Sequence, residues 1–447
     1  MHTIATSTNG GRIISALECY FSFGELGATW RTEILAGFTT FITMAYIVFV
    51  NPAILHEAGM PIAAVTAATC CCAAIGSILM GALAKYPIAL APGMGLNAYF
   101  TYTVVKHMGV PWQTALGAVF LSGVIFLLLT IGGIRQLLVS AIPHELHAAV
   151  AGGVGLFIAF IGLRNAGIIV SDPATIVSLG NLRNPQTELA VFGLLLIALL
   201  QVFRVRASML IGILGTALTG WTLSLVRWQP QSYHLANITA TTFKLDIRGA
   251  LHVGVFEIIF VFLFVDLFDN IGTLVAVSKK AGLIDAEHRI PRLNRIFFAD
   301  ATATIVGSLT GTSTVVSYIE SSAGVAAGGR TGVTAIVTGL LFFITLFIAP
   351  LVGAIPIAAT SPALIVVGSL MLSSISEIEW SDPLAAFPAF LTLITIPLTY
   401  SIANGLSFGI IAFAVLRLFS GRFRKQDWML YVLAVLFLLR FFYMAKG

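Results

Sequence analysis

The chain has 447 residues, of which 58% are hydrophobic and only 10% charged, and its mean hydropathy is +0.98. A soluble globular domain carries about 25% charged residues, so that class is excluded, and the net charge of +5 reads as membrane topology, with no nucleic-acid partner expected. Continuous apolar runs of about 20 residues point to an all-α polytopic membrane protein, and their lack of alternation excludes a β-barrel.

No apolar stretch with a small-residue cleavage site opens the chain, so no cleaved signal peptide is expected. Apolar segments follow near 33–55, 62–83, 86–105, 112–133, 145–163, 187–203, 207–226, 251–278, 297–312, 314–330, 332–353, 360–376, 383–400 and 402–419, fourteen in all. A last run, 428–443, either spans or lies in the interface, and Arg440 inside it favours the interface. With the N-terminus in the cytoplasm, sixteen Lys and Arg fall in inside loops and six (Lys106, Arg164, Arg183, Arg227, Lys244, Arg248) outside. That asymmetry supports the count and a cytoplasmic N-terminus. Cys70, Cys71 and Cys72 lack metal-ligand spacing and read as small packing residues, with no disulfide or metal expected.

The third segment, YPIALAPGMGLNAYF, is broken by Pro92, Gly93 and Gly95. The tenth, YIESSAGVAAGG, is broken by its own small residues. Their similar placement hints at two seven-segment halves, inverted because seven is odd. Paired broken helices in inverted repeats mark the midplane site of a secondary transporter.

Most of the 19 acids lie in loops or near segment ends; five do not: Glu257, Asp266, Asp269, Asp300 and Glu320. A charge at the bilayer centre is costly, so each faces a cavity or a partner. Asp266 and Asp269 share a helical face that Thr273 extends, with Gly272 allowing another backbone to approach. The alternative for Asp266 is a structural acid paired with a helix end or a buried base; for Glu257, it is headgroup contact; for Asp300, support of a neighbour. Glu320 is the strongest candidate. Around it Ser321, Ser322, Ala323 and Gly324 permit unwound backbone, tolerated at this depth only in protein or along a wet cavity. Close packing of small residues would account for the glycines but not for Glu320. Opposite stands Asn97, donor and acceptor in one side chain, which otherwise reads as glue between helices. Tyr99 and Phe100 could stack on a planar ligand, although core packing is commoner. None of the eight histidines is mid-span, so a proton relay must use carboxylates. The proton-coupling candidates are Glu320, Asp269, Asp266 and Asp300.

Four motifs in order, TTFITMAYIVFVNPAIL, APGMGLNAYF, FVDLFDNIGTL and YIESSAGVAAGGRTGVTA, resemble the nucleobase–cation symporter family of the nucleobase–ascorbate type, and within it the AzgA-like adenine–guanine–hypoxanthine permeases. The resemblance implies fourteen spans in two inverted repeats, with the third and tenth segments each a short strand leading into a half-helix. It implies an N-terminal segment (1–32), a core domain (33–133 and 251–353), a gate domain (134–250 and 354–425) and a C-terminal apolar segment (426–447). A purine base would bind at the core–gate boundary on Glu320, Asp269 and Asn97, with Thr273, Ser321 and Gly95 completing the candidate set. Uracil-type members carry a histidine where this chain has Thr273, which argues against a pyrimidine or xanthine specialist. The implied activity is proton-coupled import across the plasma (cell inner) membrane by an elevator movement, with no cofactor besides the coupling proton, and with a homodimer known among relatives. Nucleobase transport of another specificity, uracil or xanthine, is one alternative. An anion exchanger of the same architecture is another, but two carboxylates facing the ligand would repel an anion. A membrane enzyme lacks a nucleophile–base–acid set, and a channel would not need broken helices.

Overall fold

The computed structural model describes residues 9–133, 143–226, 237, 239–252, 256–285, 290–347, 355–421 and 428–444. The expected boundaries at 134, 353/354 and 425/426 lie outside these, as do Arg135, Arg227, Arg289, Arg422, Arg424, Lys425, Lys446, His2, His234 and His288. Within the described residues the first half runs α1 (Asn9–Tyr20), α2 (Phe23–Leu26), α3 (Trp30–Met44), α4 (Ile47–His56), α5 (Ile62–Leu79), β1 (Leu90–Pro92), α6 (Met94–Ala98), α7 (Trp112–Ile131), α8 (His144–Asn165), the hairpin β2–β3 (Ile169–Asp172, Ile176–Leu179), α9 (Pro185–Val202) and α10 (Ser208–Thr222). The second half runs α11 (Ile247–Ala250), α12 (Phe256–Ala281), α13 (Leu293–Thr310), β4 (Val315–Ser317), α14 (Ser321–Ala326), α15 (Gly332–Thr345), α16 (Ile357–Met371), α17 (Pro383–Leu398), α18 (Ile402–Phe419) and α19 (Trp428–Met444). Five- and nine-residue π-helical stretches extend α5 through Ala84 and α6 through His107.

Each of the fourteen expected segments contains one or more of these elements, and eight helices among the described residues, with α3 and α4 counted together as one, are long and apolar enough to cross a membrane by themselves. The others are shorter, less apolar or broken. Segments three and ten are broken as their glycines and prolines dictate, each a three-residue strand followed by a half-helix. The first segment also has a break, at Ala45–Tyr46, between α3 and α4.

β1 and β4 pair antiparallel, with Leu90 opposite Ser317 and Pro92 opposite Val315. A two-stranded pair leaves both outer edges unpaired, which is untenable at membrane depth without other partners. Side chains supply them. Ser77 Oγ accepts from Leu90 N–H (2.9 Å) and donates to its carbonyl (3.1 Å). Thr304 Oγ1 does the same for Val315, at 3.1 Å each. Two hydroxyls from α5 and α13 thus pin two strands in equivalent ways, as related halves would require.

Helices α3–α7 and α12–α15 pack mainly among themselves, and α8–α10 with α16–α18 form a second group. In the first, Gly81 and Gly332 let backbones touch, since a Cβ on either would sit within 2.3 Å of the other's carbonyl oxygen. The groups meet where α4 rests on α16, α3 on α10, α6 on α8, and α12 on α8 and α18.

Arg440 of α19 is not an interfacial anchor. Its guanidinium turns inward, pairs with Glu257 of α12, and donates to Asn404 Oδ1 (2.9 Å) and Ser407 Oγ (3.2 Å) of α18. Glu257 is correspondingly a structural ion-pair partner and not a headgroup contact.

Candidate functional site

Glu320 occupies the N-cap position of α14, three residues beyond β4. Its Oε1 accepts a hydrogen bond from the Tyr46 hydroxyl at 2.7 Å. Tyr46 is buried in the break of the first segment, where no local pattern in the sequence marks it. The glycines beside Glu320 have the packing role weighed from sequence: a Cβ on Gly324 would meet Thr40 Oγ1 at 2.1 Å and the Ala36 carbonyl at 2.7 Å. Close approach to α3 therefore carries Glu320 to Tyr46. Ser321 Oγ accepts from Ala89 N–H at 3.0 Å, so this hydroxyl caps the entry to β1.

Asp269 lies on α12, half-buried and within electrostatic reach of Glu320. Neither of its oxygens has a hydrogen-bond partner among the described residues. Thr273, one turn on, is also half-buried. Gly272 does not admit another backbone; it is exposed, with nothing within 4 Å of where its Cβ would stand.

Asp266 and Asp300 are drawn into a different cluster. Asn270 Nδ2 donates to Asp266 Oδ1 and to Asp300 Oδ2, both at 3.0 Å, while its Oδ1 accepts from Ser317 N–H at 2.8 Å. One buried amide thus ties α12, α13 and β4 together. Asn270 lies four residues beyond Asp266, one helical turn along the same face, a polar position that the sequence reading misses. A further missed acid is Glu33, fully buried at the start of α3. Its carboxylate accepts from the N–H groups of Arg330 (2.8 Å), Thr331 (3.2 Å) and Thr334 (3.2 Å) and from Thr334 Oγ1 (2.5 Å). It satisfies the first turn of α15, where a negative charge complements the helix dipole.

Asn97, on α6, is fully buried, and neither its Oδ1 nor its Nδ2 has a partner among the described residues. Thr101, one turn further on the same face, has an equally unspent Oγ1. Buried polar atoms are nearly always paired, so such orphans call for a partner from elsewhere. The Tyr99 hydroxyl is another, while its ring packs edge-on against Phe262 at 5.3 Å between centroids. Gly95 is the contact point of α6 with α8, a Cβ there meeting Val154 Cγ1 at 2.3 Å.

A helical membrane protein with two broken segments crossing at a strand pair, a carboxylate at one and an unpaired amide at the other, has the construction of a secondary transporter. The sequence profile described as Permease family (Xan_ur_permease) matches residues 31–428, and the chain belongs to this family. It is accordingly a multi-pass membrane transporter, not an enzyme. It is 44% identical to the adenine permease AdeP of Escherichia coli over 98% of both chains. It is also 44% identical to the guanine/hypoxanthine permease PbuG of Bacillus subtilis, over 96% of this chain and all of that one. Its fold matches the transmembrane domain of the cyanobacterial bicarbonate transporter BicA with a TM-score of 0.64 at 14% identity, covering 85% of this chain and 97% of that domain.

Proposed function

We propose that this chain imports purine nucleobases together with protons across the plasma membrane, N-terminus inside, with the first helix group moving as a core against the second as a gate. The observation that carries the reading is the pair Asp269 and Glu320 at the strand crossing, with Glu320 oriented by Tyr46. Carboxylates accept from the N–H groups of a purine, and Asn97 supplies a donor and an acceptor to its other edge. The same carboxylates would repel an anion, so the fold shared with a bicarbonate transporter does not extend to the substrate. Glu320 and Asp269 are also the better proton carriers, because Asp266 and Asp300 are engaged by Asn270. A protonated acid offsets charge that would otherwise cost roughly 2.3 kcal/mol per 100 mV to move. The adenine and guanine/hypoxanthine permeases among the relatives support the substrate class.

The test is uptake of radiolabelled hypoxanthine, guanine, adenine and uracil in cells lacking their own nucleobase carriers, with and without a protonophore, for wild type and Glu320→Gln at matched surface expression. Saturable purine uptake that collapses with the protonophore and is lost in the variant is expected. No accumulation of any base by correctly inserted protein would overturn the reading.

A further inference from the structure

On the membrane face that carries the basic loops, a groove of about 390 Å³ opens between α1, the end of α5, the end of α7 and the start of α13. At about 30 Å³ per water, it has room for a phosphate-sized group and several chain carbons. Its polar end is formed by Asn294 and Arg295 beside Tyr20, its apolar end by Leu83, Ile131 and Phe298. Among the described residues no carboxylate lines it. Two neighbouring cations among the described residues are occupied: Lys85 Nζ donates to the Tyr20 carbonyl at 2.6 Å and lies over the Tyr20 ring, and Arg292 stacks on Tyr86. Arg295 is exposed and its side chain has no partner among the described residues. The wall is itself at the lipid boundary. Ile14, Leu17 and Tyr20 recur every three residues along α1 and are all at least 40% exposed, the pattern of a helix lying in the interface.

We propose that this groove is a binding site for one anionic phospholipid, its phosphate on Arg295 and Asn294 and one acyl chain along Leu83, Ile131 and Phe298. The unspent cation supplies the charge complementarity, and basic recesses between helices on this face are suited to acidic headgroups. The apolar half of the groove selects a phosphate that carries a hydrocarbon chain over a free one. The site is separate from the substrate reading and stands whether or not a purine is carried.

The experiment uses the full chain in phosphatidylcholine nanodiscs with and without added phosphatidylglycerol, with co-purified phosphatidylglycerol quantified after exchange. Wild type should retain phosphatidylglycerol, and Arg295→Gln should retain about fivefold less. Ile131→Trp, which fills the apolar half and leaves the charge intact, should also lower retention. Lys280→Gln, which removes an exposed cation on the same face outside the groove, should not. Free inorganic phosphate in excess should leave retention unchanged. Equal loss from Lys280→Gln and Arg295→Gln, or normal retention in Ile131→Trp, would reduce the effect to general surface charge and overturn the site. Displacement by inorganic phosphate would reassign it to a free anion.

Discussion

Tyr46 and Glu320 are 274 positions apart in the chain and 2.7 Å apart in space. A hydrogen bond to a charged group is worth about 1.5–3 kcal/mol. If Glu320 receives the base, Tyr46→Phe should therefore raise the KM for uptake roughly 10- to 100-fold while insertion and folding remain intact. An unchanged KM would detach Tyr46 from the site. Asn270 behaves oppositely, because it serves the fold. Asn270→Ala removes the amide's bonds to both carboxylates and leaves the buried Ser317 N–H without its acceptor, and a buried polar group left unsatisfied costs about 1–3 kcal/mol. A clear fall in the melting temperature of the purified protein is expected.

At the scale of elements, the strand pair depends on groups that belong to other helices. Ser77 and Thr304 each satisfy both outer backbone atoms of one strand residue. Thr304→Val preserves shape and leaves a buried N–H and carbonyl unpaired, at about 1–3 kcal/mol per group, which thermal unfolding will register. Outside the membrane, Asp246 caps α11. It accepts from Gly249 N–H at 2.9 Å and from Thr114 Oγ1 at 3.2 Å, and the backbone bond holds its carboxyl below the usual carboxylate range. A depressed group stabilises above its unfolded pKa, and that contribution is lost as the pH falls through the folded value. The melting-temperature gap between wild type and Asp246→Asn should thus be present near neutrality and close on acidification.

For the whole molecule, the question is whether the two helix groups slide. A Cβ built on Gly95 lies 3.7 Å from Val154 Cβ, inside the range of about 3.5–4.5 Å that a disulfide requires. In a background without Cys19, Cys70, Cys71 and Cys72, Gly95→Cys with Val154→Cys should cross-link α6 to α8 and arrest uptake, with reductant restoring whatever activity the reduced pair retains. Full uptake by the cross-linked protein would mean that this boundary does not move during transport.

What the sequence by itself determined is the class of the protein and the places where its helices fail. Low charge and long apolar runs leave no other solvent than lipid, and Pro92, Gly93 and Gly95 cannot continue a regular helix. It also marks Asp269, Glu320 and Asn97 as candidates, because polar groups at membrane depth stand out against an apolar background. Only the tertiary structure decided how those groups are used. Asp266 and Asp300 are held by Asn270, Arg440 faces Glu257, Glu33 caps α15, and Gly272 meets nothing. Local periodicity reports which residues share a face, whereas a hydrogen bond needs the position of a partner hundreds of residues away. That position follows from how the helices pack, so a carboxylate bonded within the protein and one left without a partner among the described residues look alike until the chain is folded.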